Sequence, residues 1–244
     1  MPERSRGEEA LERRLRALPQ WRREKALAYR RPLDRFLCAE AYLLLERALK
    51  EQFGLPGPFE FEYGPCGKPF LKGHPGIHFN ISHCSRCVCC AVSDRPVGVD
   101  VETIQYDPDV AAYAFSDEEL SRIRGAVNSG IVEVKETPEA PGIVEVIGAS
   151  GTPGIVEVKE ISEARGIIEV KGILGAPGIV ETKSAPEAPE IAFTRLWTMK
   201  ESAWKLTGEG APADPKAPLP AGIAFRTEII KERGYVLTWA ETRR

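Results

Sequence analysis

Hydrophobic positions recur every three to four residues through much of the first fifty residues, which is the spacing of amphipathic helices. Leu11, Leu15 and Leu18 follow this spacing among arginines, and a wider apolar stripe runs from residue 33 to residue 50. The sequence therefore predicts two helices here. Glycines and prolines at positions 54 to 58 end the second helix.

Alternating and continuous apolar runs follow, and both patterns are typical of strands. Aromatic residues alternate with glutamates between positions 59 and 63. Apolar runs at 77–82, 87–93 and 97–101 predict three more strands, and Asp94-Arg95-Pro96 predicts a hairpin turn between the last two.

Further helices and strands are predicted toward the end of the chain. Ser116 is expected to cap a helix that begins DEEL, because acidic residues in a first turn interact favourably with the helix dipole. A helix is predicted from Phe193 to Thr207, ended by the turn at Gly208. Two strands, 222–230 and 234–240, close the chain.

A block of near-identical twelve-residue repeats interrupts this pattern. Each unit has a strand-like core and a connector rich in Pro, Gly, Ala and Ser; the units begin at Gly130, Gly142, Gly154, Gly166 and Gly178. The period is shorter than the roughly 20 residues or more of stacked repeat folds. Three interpretations stay open: a segment without stable structure, a meander of strands, or a binding surface.

Composition sets outer bounds on the class of protein. A chain of 244 residues with 43% hydrophobic residues can form one large domain or two small ones. The net charge of −3 excludes the strongly basic character of a nucleic-acid-binding protein. No apolar run approaches the roughly 20 residues needed to span a bilayer, and the charged N-terminus lacks an apolar signal core. We therefore expect a soluble, cytoplasmic protein.

Four of the six cysteines crowd into the segment HCSRCVCC, and the other two are Cys38 and Cys66. A Cys-x-x-Cys beside His83 could be half of a zinc site, but structural zinc sites usually bring a second spaced pair. The favoured interpretation is a buried strand that uses cysteine as a small hydrophobic residue. No disulfides are expected without a signal peptide.

The candidate chemistry begins with two acidic residues on one predicted strand. Asp100 and Glu102 point to the same side, while Val99 and Val101 face the core. Adjacent carboxylates repel each other unless a cation lies between them, and oxygen ligands favour Mg²⁺. An isolated Asp-x-Glu is more often a solvated strand end, and the last predicted helix shifts the balance toward a metal site.

The last predicted helix brings a third acidic residue and two lysines. Glu201 and Lys205 are one turn apart, and Trp197 and Trp204, interpreted as core residues, flank them. A partly buried acid of this kind could be a third metal contact or a general base. Lys200 could reach a phosphate. Three carboxylates and several cations thus indicate a hard cation that holds a phosphorylated ligand.

Other cationic and polar residues could contact phosphate, although each has an ordinary structural interpretation. Ser82 and His83 end a predicted strand and could donate hydrogen bonds, but a lone histidine is more often structural. Lys68 lies in a loop between Gly67 and Pro69. The basic run from Arg22 to Lys25 would by itself be a solvated helix face.

Five segments together resemble the 4′-phosphopantetheinyl transferases: GKPFL, HFNISHC, CAVSDRPVGVDVE, FSDEEL and LWTMKESAWKLTGEG. Their order and approximate spacing are similar to the larger, two-lobed type that activates surfactin synthetase. The resemblance covers most of residues 20–125 and 190–240. It implies an α+β fold of two similar lobes with pseudo-twofold symmetry, over residues 1–103 and 104–244, with the repeat block as an insertion at 126–190.

The resemblance also implies a role for individual residues. It implies an Mg²⁺ site at Asp100, Glu102 and Glu201, and catalytic roles for Glu201, Glu119 and Lys205. Glu201 would deprotonate the attacking serine, and Glu119 matches an acid near the metal. The implied contacts to coenzyme A are Arg22, Arg23, Lys25, Arg35, Lys68, Ser82, His83, Lys200 and Lys205.

The activity implied by the resemblance is Mg²⁺-dependent transfer of the 4′-phosphopantetheine arm of coenzyme A to a serine of an apo acyl or peptidyl carrier protein. The other product is 3′,5′-ADP. The expected protein is a monomer that binds neither nucleic acid nor membrane. Two departures from the family pattern are an opening charged helix in place of a strand, and the repeat block. The alternatives are a catalytically impaired coenzyme A-binding relative, an interaction protein that acts through the repeats, and a zinc module.

Overall fold

The structure, a computed structural model, describes residues 3–125, 154–162, 166–174 and 187–243. The helices in these ranges are α1 (Glu3–Ala17), α2 (Gln20–Leu27), α3 (Pro32–Phe53), α4 (Pro108–Ala114), α5 (Asp117–Gly125) and α6 (Pro189–Thr207). The strands are β1 (Phe61–Tyr63), β2 (Pro69–Leu71), β3 (His78–His83), β4 (Cys87–Ser93), β5 (Val97–Thr103), β6 (Gly154–Ser162), β7 (Gly166–Leu174), β8 (Ile223–Ile230) and β9 (Tyr235–Thr242). None of these helices is long and apolar enough to cross a membrane.

The mixed α+β class is confirmed, and local sequence signals account for most element ends. The expected glycines close α3 and α6, since Gly54 and Gly208 adopt φ values of 67° and 74°, where a side chain would be strained. Ser116 caps α5 as predicted: its Oγ accepts from the Glu119 amide at 3.3 Å, and Glu119 Oε2 accepts from the Ser116 amide at 2.9 Å. The pseudo-twofold relation between two lobes stays a prediction.

The described strands form three antiparallel sheets, of order β1-β2, β3-β4-β6-β7 and β5-β9-β8. The predicted hairpin at Asp94-Arg95-Pro96 is therefore wrong, because β4 and β5 lie in different sheets. The main-chain N–H groups of β5 explain the difference. Val99 donates to Asn80 Oδ1 at 2.9 Å and Val101 to Ser82 Oγ at 3.4 Å, so side chains of β3 satisfy donors that a hairpin would have used.

The third and fourth repeat units form β6 and β7. β6 pairs with β4 over Cys87 to Val92, and β7 pairs with β6 along its whole length. These two units therefore extend the sheet begun by β3 and β4, which agrees with the strand-meander interpretation for this part of the block. The first and second units, and residues 178–186 of the fifth, lie outside the described residues.

The main core lies between α3 and the β3–β4 pair, where Leu44, Leu45 and Val88 are fully or almost fully buried. A second core joins β4 to β5 and β9, with Cys87 and Cys89 among its buried members. Cysteine on β4 thus serves as a small hydrophobic residue, as predicted. β5, which belongs to the expected first lobe, pairs with β9 from the end of the chain, and β9 in turn pairs with β8. The expected boundary at residue 103 stays a prediction.

Helix α6 lies directly on β5, and Gly98 makes the close approach possible. A Cβ at position 98 would be 2.0 Å from the Ser202 carbonyl oxygen and 2.5 Å from the Leu206 amide nitrogen. Both atoms are helix backbone, so a side chain at this position would force the helix away from the strand.

We expect Gly98→Ala to lower the free energy of unfolding by about 3 kcal/mol, measured by urea denaturation, because helix and strand must separate. Gly76→Ala is the matched control, since a Cβ at position 76 meets no atom within 4 Å. Equal stability of the two variants would show that α6 does not contact β5 as closely as the structure has it.

Candidate functional site

The candidate site lies where α6, β5 and β3 meet. β5 contributes Asp100 and Glu102 on one face, as its alternation predicts, and α6 contributes Glu201 and Lys205 one turn apart. β3 adds Ser82. The contact at Gly98 brings the helix backbone onto the strand, so that side chains of α6 reach the acidic residues of β5.

Lys205 forms the central ion pair of the site. Its Nζ lies 2.5 Å from Asp100 Oδ1 and 3.0 Å from Ser82 Oγ, and Ser82 donates to the same Asp100 oxygen at 2.8 Å. Glu201 Oε2 is farther from Nζ, at 4.0 Å. Although Glu201 is only one helical turn from Lys205, the primary partner of Lys205 is Asp100.

Asp100 is only 2% exposed, and its second carboxylate oxygen has no hydrogen-bond partner in the part of the chain that the structure describes. Oδ2 is buried and accepts no hydrogen bond from any described residue. A buried carboxylate oxygen loses its hydration, so leaving it without a donor or a cation costs free energy. The oxygen is therefore a candidate ligand position.

The surrounding carboxyl groups show an excess of negative charge. Burial, followed by the charge of Asp100, raises the pKa of Glu102 to about 8. Burial also raises the pKa of Glu201. Burial alone would lower the pKa of Lys205, but the carboxylates of Asp100 and Glu201 raise it above its ordinary value. One ammonium group thus does not balance three acids.

This donor set fits a hard divalent cation in its chemistry. Its donors are carboxylate oxygens, one of them buried and unpartnered, and their charge is incompletely balanced. No three His, Cys, Asp or Glu side chains in the described ranges are already close enough to hold a metal ion. The Lys205 ammonium is the cation that contacts Asp100 here, so Glu102 and Glu201 would have to approach Asp100 to bind one.

A cleft of about 310 Å³ reaches His83, the neighbour of Ser82, and three predicted coenzyme A contacts line it among mostly apolar and aromatic side chains and Asp34. Arg22 and Lys25 come from α2, His83 from the end of β3, and Gly67 lies next to Lys68. Arg22 Nε is buried without a hydrogen-bond partner among the described residues. The structure thus brings part of the basic run from α2 to the same cleft as His83, which the sequence alone did not show.

His83 can donate a hydrogen bond in its neutral form. Burial, followed by the positive charge of Lys205, lowers its pKa. A neutral imidazole has one N–H donor and one acceptor. His83 therefore offers a directed hydrogen bond to a ligand in the cleft without adding to the positive charge.

Three other cationic side chains that were predicted to contact coenzyme A donate hydrogen bonds to main-chain carbonyl groups. Arg23 Nε donates to the Leu15 carbonyl at 2.8 Å, near the end of α1, and Arg35 Nε donates to the Tyr29 carbonyl at 2.8 Å. Lys68 Nζ donates to the Lys205 carbonyl at 2.7 Å. Burial lowers the pKa of Lys68 to about 8, and its half-buried ammonium lies at the C-terminal end of α6, close to Lys205.

Lys200 and Glu119 form a separate pair. Lys200 is 1% exposed, and its Nζ has three oxygen acceptors: the carbonyls of Pro215 at 3.0 Å and Ala217 at 3.2 Å, and Glu119 Oε2 at 3.2 Å. Glu119 also takes part in the α5 cap. No described hydrogen bond or ion pair connects either residue to Asp100 or Glu102, so their expected roles at the ligand stay predictions.

Sequence reasoning missed Asn80 and Gly98, which position the site without facing it. Asn80 accepts the Val99 amide on β5, two residues along β3 from Ser82. The alternation within HFNISH places both polar side chains on one face of β3, and that signal was available in the sequence. The demand for a glycine at position 98 arises only from the helix packed against it.

A second cleft, of about 170 Å³, is lined in part by Glu102. Its walls include Thr103, Asp107 and Trp197. The carboxyl group of Glu102 therefore lies at the edge of a space large enough for a small segment of a partner or ligand.

Comparison with known proteins bears on this site. No family model matches the chain. The chain is 33% identical to a 4′-phosphopantetheinyl transferase of Bacillus subtilis over 122 residues, which cover 49% of this chain and 54% of that protein. It is 38% identical over 79 residues to 4′-phosphopantetheinyl transferase psf-1 of Bacillus pumilus, covering 32% and 34%. It is 30% identical over 120 residues to 4′-phosphopantetheinyl transferase Sfp of Bacillus subtilis strain 168, covering 43% and 54%.

The chain spans about half the length, or less, of the curated relatives that it matches. Within that span, the similarity to several proteins of one name confirms the resemblance that the separated motifs indicated.

Proposed function

We propose that this protein transfers the 4′-phosphopantetheine arm of coenzyme A to a serine of an apo acyl or peptidyl carrier protein. The observation that carries the proposal is the buried Asp100 carboxylate, one oxygen of which has no hydrogen-bond partner among the described residues, set among Glu102, Glu201 and Lys205. A cleft lined in part by Arg22, Lys25 and His83 adds basic groups. The similarity to named transferases supports the same reaction. We further propose that the protein acts as a monomer in the cytoplasm.

The cleft would bind the nucleotide end of coenzyme A. Arg22 and Lys25 supply positive charge for phosphate. The Nε–H of Arg22, which has no partner among the described residues, can donate a hydrogen bond to a phosphate oxygen. His83 offers a neutral donor at the same wall. Lys68 lies at the end of α6, where its ammonium could exchange a helix carbonyl for a phosphate oxygen.

Asp100, Glu102 and Glu201 would hold Mg²⁺. When bound, this ion supplies the positive charge that stabilises a pyrophosphate as it is cleaved. The raised pKa values of Glu102 and Glu201 are consistent with the role, because carboxylates crowded without enough cations retain protons that a metal would displace.

Glu201 would act as the general base. It takes the proton of the carrier serine hydroxyl, whose oxygen forms a bond to the phosphorus that bears the pantetheine arm. The bond from that phosphorus to the bridging oxygen breaks, and 3′,5′-ADP leaves with the electron pair. Burial raises the pKa of Glu201 toward that of an effective base, and Lys205 would stabilise the negative charge on the leaving oxygen.

The test is direct. The full chain is incubated with coenzyme A, Mg²⁺ and an apo carrier protein, and the carrier is weighed by mass spectrometry for the added arm. Release of 3′,5′-ADP with a modified serine is the expected result. Coenzyme A binding without transfer would favour the impaired relative, and absence of both would favour an interaction protein acting through the repeats.

We expect Glu201→Gln to lower kcat for transfer about a hundredfold or more, equivalent to about 3 kcal/mol, because the amide cannot accept the serine proton. The control is Glu190→Gln, which changes an exposed glutamate in the first turn of the same helix. A Glu201→Gln rate within threefold of the unchanged protein would assign the base to another group.

Stability should depend on pH through Glu102. Its pKa is about 8 in the folded chain against 4.5 ordinarily, so between these values the unfolded chain has lost a proton that the folded chain keeps. Without divalent cations, raising the pH from about 5 to 8 should therefore lower the free energy of unfolding.

In the Glu102→Gln variant we expect the free energy of unfolding to fall by about 1–2 kcal/mol less between pH 5 and 8 than in the unchanged protein. The measurement is urea denaturation in the presence of a chelator at several pH values. Added Mg²⁺ should offset the decrease in the unchanged protein, because it binds the ionised carboxylates. If the free energy of unfolding changed with pH equally in the unchanged protein and in the Glu102→Gln variant, Glu102 would not be the group responsible.

A further inference from the structure

The turn between β3 and β4 carries a pair of cysteines that the proposed transfer reaction does not use. Cys84 and Cys87 are both free thiols, and their Sγ atoms are 3.7 Å apart. Ser85 and Arg86 form the two-residue turn between them. The Cys84 amide donates to the Cys87 carbonyl at 3.0 Å, next to the register pair of His83 with Val88, so the cysteines lie directly opposite each other.

This position permits a disulfide. Opposed residues in a hydrogen-bonded antiparallel pair have Cα atoms about 5.5 Å apart, within the roughly 4.4–6.8 Å that a disulfide bridges. Rotation of the two side chains would close the remaining gap between the sulfur atoms. Cys66, the exposed cysteine, is not part of this arrangement, since its Sγ contacts the Glu209 carbonyl.

We propose that Cys84 and Cys87 are a redox-active dithiol, which a small soluble disulfide oxidises to an intramolecular disulfide. The proposal assigns a modification site at the β3–β4 turn. It is independent of the transferase activity, because its chemistry involves only the two sulfur atoms and the oxidant.

Cys84 is the attacking residue of the pair. It keeps 7% of its surface exposed, whereas Cys87 has none. The Arg86 amide donates to Cys84 Sγ at 3.4 Å, which stabilises a thiolate. The contact with Cys87 lowers the pKa of Cys84 to about 6 and raises the pKa of Cys87. This difference agrees with the geometry in favouring Cys84 as the attacking thiolate.

The reaction has two exchange steps. The Cys84 thiolate attacks one sulfur of the small disulfide, which releases one small thiolate and leaves a mixed disulfide on Cys84. Cys87 then loses its proton, and its sulfur attacks Cys84 Sγ and releases the second small thiolate. The two cysteines are oxidised by two electrons, and the small disulfide is reduced to two thiols.

The pair lies immediately behind the candidate site. Cys84 follows His83 in the chain and packs in the same core as Val99 and Val101, the residues on either side of Asp100. The disulfide would close a loop of only four residues, so it constrains the unfolded chain little and should change the free energy of unfolding only slightly. The informative measurement is therefore chemical.

The experiment treats the native full chain with oxidised glutathione and then blocks the remaining thiols. Trypsin cleaves after Arg86 and therefore separates the two cysteines into peptides 73–86 and 87–122. We expect the protein to lose two hydrogen atoms and the two peptides to stay joined until a reductant is added. Cys84 is the only cysteine of the first peptide.

Three variants test the assignment. Cys87→Ser should keep one glutathione bound to Cys84, because no neighbouring thiol resolves the mixed disulfide. Cys84→Ser should prevent any joined peptide. Cys66→Ser is the matched control and should form the disulfide as the unchanged protein does.

Two results would overturn the proposal. One is a native protein in which only Cys66 reacts while peptides 73–86 and 87–122 stay separate. The other is a Cys87→Ser variant that still joins the two peptides, which would assign the partner of Cys84 to Cys89 or Cys90 and not to the residue opposite it.

Discussion

The buried ion pair between Lys205 and Asp100 is the interaction on which the rest of the site depends. An isolated charge at the position of Asp100, which is 2% exposed, would cost several kcal/mol. The ammonium at 2.5 Å and the Ser82 hydroxyl at 2.8 Å offset that cost for one oxygen only. The remaining oxygen is the position at which we propose that another cation binds.

This ion pair constrains the backbone on both sides. Lys205 reaches Asp100 because α6 lies directly on β5 at Gly98. Asp100 is held in register because β3 side chains bind the β5 amides on either side of it, through Asn80 and Ser82. β5 is bound by side chains of β3 on one edge and by β9 on the other, so it cannot pair with β4. The same contacts therefore place β5 in a different sheet from β4 and hold Asp100 in the site.

The cationic residues divide into two groups by what their donors contact. Arg22 and Lys25 line the cleft that reaches His83, and Arg22 Nε is buried without a hydrogen-bond partner among the described residues. Lys68 and Lys200 instead donate to main-chain carbonyls around α6, where burial makes an unsatisfied ammonium costly. Cationic side chains therefore line a cleft in one place and support the helix framework in another.

The sequence by itself determined the elements with strong local signals. The 3.6-residue periodicity and the closing glycines predicted α3 and α6, alternation predicted that Asp100 and Glu102 share a face, and Ser116 predicted the α5 cap. Five separated motifs were enough to indicate the transferase resemblance. These features depend on residues close together in the chain, which is why they could be predicted.

Only the tertiary structure decided which distant residues meet. The hairpin predicted at residues 94–96 is wrong because the residues of β5 pair with residues of β9 that are 132 to 144 positions away in the chain. Lys205 pairs with Asp100 more closely than with Glu201, and Lys200 is enclosed with Glu119, because helix packing and not spacing sets those distances. Local patterns fix the direction of a side chain along its own element, but the partner depends on how the elements pack.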